Sequence, residues 1–579
     1  MKKFEFKFFS FLFLACFLIV ACQDVSQKGK TVKGNEDYNY LPPPPPPAEP
    51  ELFEEIQFED QSIDATEEQF YSHDETIISS AKRSTSMEAY NSAKRYAPKP
   101  RRENYADIVE NKFHQVTKKP LSTFSIDVDA ASYSNLRRFI NNGQNPPANA
   151  VRIEEMINYF NYDYPAPEGQ HPFEVITEIG DCPWNERHRL VHIGLQGKNV
   201  ATEDLPASNL VFLIDVSGSM NSFNKLPLLQ KSMNLLVNQL RKKDKVAIVV
   251  YAGAAGMVLP STEGTDKEKI LAAIDQLRAG GSTAGAAGIK LAYKLAQENF
   301  IPKGNNRVIL ATDGDFNVGQ SSKEELVDMI ENKRKSGVFL TDLGFGQGNY
   351  QDHKMQELAE RGNGNHAYID NILEAKKVLV KEFGGTLFTI AKDVKLQIEF
   401  NPTKVQNYRL IGYENRMLAA EDFNNDLKDA GELGAGHTVT ALYEIIPTGV
   451  KSNFSASVDP LKYQENPRPK VANNSKEAMT IKLRYKQPDG EKSQLIEKPI
   501  IDSHKKLDMT SDNFRFSAAV AEFGLLLRDS QFKNKATYKQ ALDLAKSSKG
   551  KDENGYRAEL IRLVEMASLM NGGVVAEKE

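Results

Sequence analysis

Residues 210–222 read LVFLIDVSGSMNS: five apolar residues run into Asp215, and Ser217 and Ser219 follow with Gly218 between them. A short apolar run bounded by turn residues has the pattern of a strand buried on both faces. Three oxygen-bearing side chains at the exit of such a strand call for a chemical reason.

Working outward, the pattern becomes regular. LPLLQKSMNLLVNQL places Leu226, Leu229, Met233, Leu236, Val237 and Leu240 on one helical face, and KVAIVVYA is the next strand. TDKEKILAAIDQL is expected to open with a capping box from Thr265 to Glu268, and GAAGIKLAYKLAQENF forms a further helix. The strand RVILATDG, the helix SKEELVDMIENKRK capped by Ser322 and Glu325, and the strand GVFLTDLGFG come next. Helices YQDHKMQELAERG and ILEAKKVLVKEFGGTLFTIA close the run. Strands alternating with amphipathic helices predict an α/β fold, a doubly wound, mostly parallel sheet covered on both faces. In such sheets a site forms in the loops beyond the carboxyl ends of the strands.

Three loops of that kind carry oxygen ligands: DVSGS, GGSTAG with Thr283, and ATDGDFN with Asp313. Hydroxyl and carboxylate oxygens suit a hard cation, and Mg²⁺ in particular takes oxygen ligands while retaining water. Ser217 and Ser219 can reach one ion beside Asp215, while Gly218 permits a tight backbone.

These residues resemble a von Willebrand factor type A domain with its metal-ion-dependent adhesion site. The D-x-S-x-S element is carried by Asp215, Ser217 and Ser219, the separate threonine by Thr283 and the separate aspartate by Asp313. The resemblance implies a Rossmann-like domain over 207–390 holding Mg²⁺, with Mn²⁺ or Ca²⁺ as substitutes. It also implies direct binding by the serines, direct or water-mediated binding by Thr283 and the aspartates, and one position open to a carboxylate of a protein ligand. Segments 113–200 and 391–575 resemble the flanking domains of a family of bacterial type A lipoproteins. They are expected as a small α+β domain and an α+β domain with antiparallel strands such as DVKLQIEF, TVTALYEII and MTIKLRYK.

The amino terminus supplies an address. Lys2, Lys3 and Lys7 precede an uncharged apolar run from Phe8 to Ala21 that ends at Cys22, a secretory signal too short for a comfortable membrane span. IVAC resembles a lipobox, which implies a signal peptide over 1–21, lipidation at Cys22 and a lipid-anchored protein of the cell envelope. Gln23 after the cysteine points to the outer membrane of a Gram-negative bacterium. Segment 22–112, with LPPPPPPAEP, an acidic stretch and KRYAPKPRRENY, is expected to be a disordered tether. Loss of Cys16 with the signal leaves Cys182 as the one free thiol, so no intramolecular disulfide is expected. A net charge of −5, with no block of Lys and Arg interleaved with aromatics, gives no reason to expect nucleic acid. No small-molecule cofactor is expected.

Several motifs are decoys. Asp127, Asp129 and Ser132 lack the D-x-S-x-S spacing and are expected as a strand end and helix cap. DFNNDLKDAGEL starts like a calcium loop, but Leu427 replaces its glycine and Leu433 its final glutamate. GFGQGNY lacks the rest of a dinucleotide fingerprint and is expected as a tight loop. His188 and His192 have no third ligand nearby, and Cys182 has no catalytic partner. Asp315 either shapes the potential around Asp313 or caps a turn. A hydrolase is disfavoured because neither serine has a recognisable base. The expected function is therefore non-enzymatic: cation-dependent binding of a protein ligand that presents an acidic residue, in adhesion or in assembly of the envelope.

Overall fold

Every residue of the strand Ser208–Asp215 is buried, and that burial dictates the layers around it. A computed structural model describes residues 103–126, 129–282, 285–314, 323–382, 388–455 and 475–572. In chain order, the N-terminal flank supplies β1 (His114–Gln115), β2 (Leu121–Ser125), α1 (Ala131–Asn141), α2 (Ile153–Asn158), β3 (Phe173–Cys182) and β4 (Asn185–Gly197). The central domain opens with β5 (Ser208–Asp215), α3 (Leu226–Val237), β6 (Lys245–Tyr251), β7 (Ala255–Glu263), α4 (Lys267–Asp275) and α5 (Gly285–Glu298). It continues with β8 (Asn305–Thr312), α6 (Lys323–Lys335), β9 (Val338–Phe345), α7 (Asp352–Arg361), β10 (His366–Ile369) and α8 (Ile372–Lys376). The C-terminal flank supplies β11 (Thr389–Phe400), β12 (Val405–Ile411), β13 (Met417–Leu418), β14 (Gly431–Gly434), β15 (Thr438–Pro447), β16 (Glu477–Lys486) and β17 (Ser493–Ile501), and ends with α9 (Asp512–Leu527), α10 (Tyr538–Ser547) and α11 (Tyr556–Met570).

The central sheet has the order β10-β9-β8-β5-β6-β7, parallel except for β7, which runs back along β6. Successive side chains of β5 point to opposite faces. Leu210, Phe212 and Ile214 enter a core with Met233 and Leu236 of α3 and Ile270 and Ile274 of α4. Val211 and Leu213 enter the other core with Ile289, Ile330 and Leu358. From β5 the chain steps to β6 on one side and later returns to β8 on the other. The carboxyl ends of β5 and β8 therefore form the switch point at which such sheets bind ligands.

The two flanks are interleaved in space. β4 pairs with β15, with His192 opposite Leu442, and β2 pairs with β11, with Phe124 opposite Leu396. Antiparallel sheets β1-β12-β15-β4-β3 and β13-β2-β11-β16-β17, the latter joined by β14 on β11, enclose a common core. The outer face of the first sheet, including Leu190, Ile411 and Leu442, is covered by helices of both flanks.

Local readings need correction in three places. Residues 103 and 104, inside the expected tether, are bonded into the fold: the Glu103 carboxylate pairs with Arg138 at 2.9 Å, and the Asn104 amide donates to the Tyr350 carbonyl at 3.1 Å. The Thr265–Glu268 capping box does not form; α4 begins after Asp266, whose amide turns back to the Glu263 carbonyl and whose side chain makes no cap bond. The long helix expected over 372–391 ends in a π-helical turn at Lys377–Lys381, and Thr389–Ala391 open β11, where pairing with β14 satisfies the backbone.

Among the decoys, His188 bonds Glu444 and Ser452 at 2.5 and 2.9 Å, while His192 bonds Tyr164 and Ser517 at 2.6 and 2.9 Å. Cys182 is a free, buried thiol that burial pushes well above its usual pKa. Asp129 does not cap α1; it accepts the His366 amide at 2.8 Å. Leu433 is a core residue of β14. Cys22, Asp127, Thr283, Asp315 and Ser322 lie outside the described residues.

Candidate metal centre

Asp215 is the last residue of β5 and has no exposed surface. The chain turns at once: the Ser217 amide donates to Asp215 Oδ1 at 2.8 Å, an Asx-type turn that fixes the carboxylate. The amide of Gly218 donates to the Gly281 carbonyl at 3.0 Å, and that of Gly280 to the Val216 carbonyl at 2.7 Å. The serine loop and the loop before Thr283 are thereby laced together. Ser217 and Ser219 bring their hydroxyl oxygens within 3.1 Å of one another, with Ser217 buried and Ser219 open to solvent.

From the neighbouring strands come Tyr251 and Thr312, whose hydroxyls donate to Asp215 Oδ2 at 3.2 and 3.1 Å. Asp313, directly beyond β8, is fully buried. Its chain turns through Gly314, at φ +90°, where a Cβ would lie 2.6 Å from the Gln351 amide nitrogen. Burial raises the Asp215 carboxyl above its ordinary pKa; its hydrogen bonds from Ser217 oppose this, and the charge of Asp313 adds to it.

The structure thus brings together Asp215, Ser217, Ser219 and Asp313. It also places there three residues that the sequence reading missed: Tyr251, Thr312 and Lys225. The Lys225 ammonium donates to Asp313 Oδ2 at 2.7 Å. Nothing local in the sequence marked Lys225, because a charged residue just before a helix ordinarily faces solvent. Lys225 does not serve as a base for either serine, because it engages Asp313.

These donors fit a hard divalent cation. Among the described residues, every hydrogen-bond partner of Asp215 is a neutral amide or hydroxyl. A fully buried carboxylate without a cationic partner is costly, and an ion bound by the adjacent serine oxygens would relieve that cost. Among the described residues no group of three or more His, Cys, Asp and Glu is arranged to hold a metal ion, so a centre here depends on hydroxyls.

Fold and loops together define a type A domain, and residues 209–381 match the family "von Willebrand factor type A domain". Residues 99–192 match "von Willebrand factor" and 385–570 match "Uncharacterized protein YfbK, C-terminal". The chain is 47% identical over 470 residues to the "Uncharacterized protein YfbK" of Escherichia coli (strain K12), covering 80% of each, and it belongs to that family. The bovine inter-alpha-trypsin inhibitor heavy chain H3 is 26% identical over 182 residues, 30% of this chain and 20% of that one. Among solved structures, a von Willebrand factor type A protein from Catenulispora acidiphila aligns over 67% of this chain and 89% of its own, at 16% identity and TM-score 0.37.

Proposed function

We propose that the chain is a cell-envelope lipoprotein whose type A domain binds a protein ligand through a divalent cation and a carboxylate of that ligand. The buried Asp215 carboxylate at the sheet's switch point, whose partners among the described residues are all neutral donors, is the observation that carries the reading. Ser217, Ser219, Asp215, Asp313 and Thr283 would hold the ion, Mg²⁺ by the hardness of these ligands. When bound, the ion supplies an electrophilic position that accepts a carboxylate oxygen. The chain's own contribution is to hold the ligands rigidly: the Asx turn fixes Asp215, and Tyr251 and Thr312 hold its second oxygen. Phe223, four residues beyond Ser219, is 86% exposed and would be available to a ligand as an apolar contact.

The family supports a protein-binding role, and Lys225 engages Asp313 rather than either serine, so it is not placed as a base for them. The anchor rests on Cys22, which the lipobox resemblance assigns to acylation; two or more acyl chains hold a protein stably to a bilayer. No helix among the described residues is long and apolar enough to cross a membrane. The test is capture from envelope extracts with Mg²⁺ against the same buffer with a chelator. Retention of specific envelope proteins only with Mg²⁺, and its loss in Asp313→Ala, is expected. Equal capture in chelator would overturn the reading.

A further inference from the structure

We propose that Lys225 is the built-in counter-charge of this centre, holding down its affinity for divalent cations and leaving the loaded site with surplus positive charge. The proposal rests on the metal reading above and goes beyond it in assigning a residue that sets the strength of the site.

Lys225 is placed there by construction. Its amide donates to the Ser222 carbonyl at 2.9 Å, and its own carbonyl accepts the Leu229 amide at 2.8 Å as α3 begins. The side chain is then carried under the loop after β9. There Gly346, at φ +80°, has no side chain: a Cβ would lie 2.6 Å from Cγ and 2.3 Å from Cε of Lys225. Tyr368 bonds the Gly346 carbonyl and fixes that loop in place. The GFGQGNY motif, without a dinucleotide role, thus opens the passage for a lysine stem. At its end the ammonium meets Asp313 at 2.7 Å and the Asn349 side-chain oxygen at 3.4 Å, and the Asn349 amide also faces Asp313 Oδ2 at 3.4 Å. The lysine is only 7% exposed, so water does little to screen it.

The consequence follows from charge. Among the described residues, two carboxylates and one ammonium leave a single net negative charge, against which a divalent ion leaves a single net positive one. Without the ammonium, the two carboxylates would neutralise the ion completely. Lys225 therefore repels the incoming cation, and it preserves the positive charge that attracts an acidic group afterwards.

Mg²⁺ titration calorimetry on the purified chain separates the possibilities, with circular dichroism as a check on folding. Lys225→Met should bind Mg²⁺ at least about tenfold more tightly than the parent, because unscreened charges a few ångströms apart interact strongly. Lys225→Gln, which removes the charge but keeps a hydrogen-bond donor, should tighten binding as well and serves if the Met variant does not fold. Lys225→Arg should stay near the parent affinity. Equal or weaker Mg²⁺ binding in the neutral variants would overturn the proposal, since a purely structural strut loses order when cut. Failure of the parent itself to bind Mg²⁺ would instead overturn the metal reading on which it rests.

Discussion

Asp352→Asn tests how firmly the body holds the central domain, and with it the cation loops. Asp352 opens α7 and is fully buried, and its carboxylate receives two Arg152 bonds, from Nη1 at 2.6 Å and Nη2 at 3.2 Å. Burial alone would raise the Asp352 carboxyl, but the Arg152 charge and the bond from His366 hold it well below the usual carboxylate range. The pair's stabilisation is therefore present above the ordinary aspartate pKa and is lost as pH falls toward the depressed folded value. Asparagine preserves the shape and removes the charge. Removing one partner of a buried pair costs about 3–5 kcal/mol; because Glu155 still faces Arg152, about 2–4 kcal/mol is expected here. The control is Asp429→Asn, which breaks the Arg334 pair at a carboxylate that is half exposed and should cost under about 1 kcal/mol. Urea unfolding at pH 7 is followed by far-ultraviolet circular dichroism and by the single tryptophan, Trp184, in the flank core. Two probes are needed because a chain of several cooperative units need not unfold in one step. A midpoint shift for Asp352→Asn no larger than that for Asp429→Asn would refute the reasoning.

Further outcomes are specific. Glu522 of α9 accepts the Thr537 amide at 3.1 Å, and burial pushes its carboxyl up to about 8. Its contribution is full below the ordinary glutamate pKa and is lost as pH rises through about 8, so Glu522→Gln should match the parent at pH 4 and exceed it by roughly 2–4 kcal/mol at pH 9. Parallel stability curves in urea for the two proteins would contradict this. Cys22→Ala should release the protein from the membrane fraction or leave it unprocessed; unchanged detergent partitioning and acyl labelling would refute the anchor. Assays with ester, peptide and phosphate substrates and Mg²⁺ or Mn²⁺ should show no turnover, and an activity abolished by Ser217→Ala would argue for a hydrolase instead.

The central sheet was legible because its signals are local. The apolar run before Asp215, the amphipathic period of α3 and the alternation of strands with helices each declare their partners within a few residues. The D-x-S-x-S loop was legible for the same reason, since the turn that gathers Asp215 and Ser217 is made by the backbone between them. Pairings over hundreds of residues left no such mark. Nothing in RLVHIGL announces that His192 will lie opposite Leu442, so the interleaving of the flanks emerges only in space. Lys225 was hidden differently: its role depends on the absent side chain of Gly346, far along the chain, and a charged residue before a helix ordinarily faces solvent. The helix misread at 372–391 shows a third limit, because Thr389–Ala391 join a strand to satisfy pairing with β14 despite continuing a helical-looking run.

The most direct measurement is Mg²⁺ binding by titration calorimetry to the parent, Asp215→Ala, Asp313→Ala and Thr283→Ala, each checked by circular dichroism. The account predicts saturable binding at a single site in the parent, its loss in both aspartate variants and a milder weakening in Thr283→Ala, with the fold retained because the sheet's core does not depend on the ion. Undiminished Mg²⁺ affinity in a folded Asp215→Ala protein would contradict it, and the residues after β5 would then be an ordinary turn with two serines.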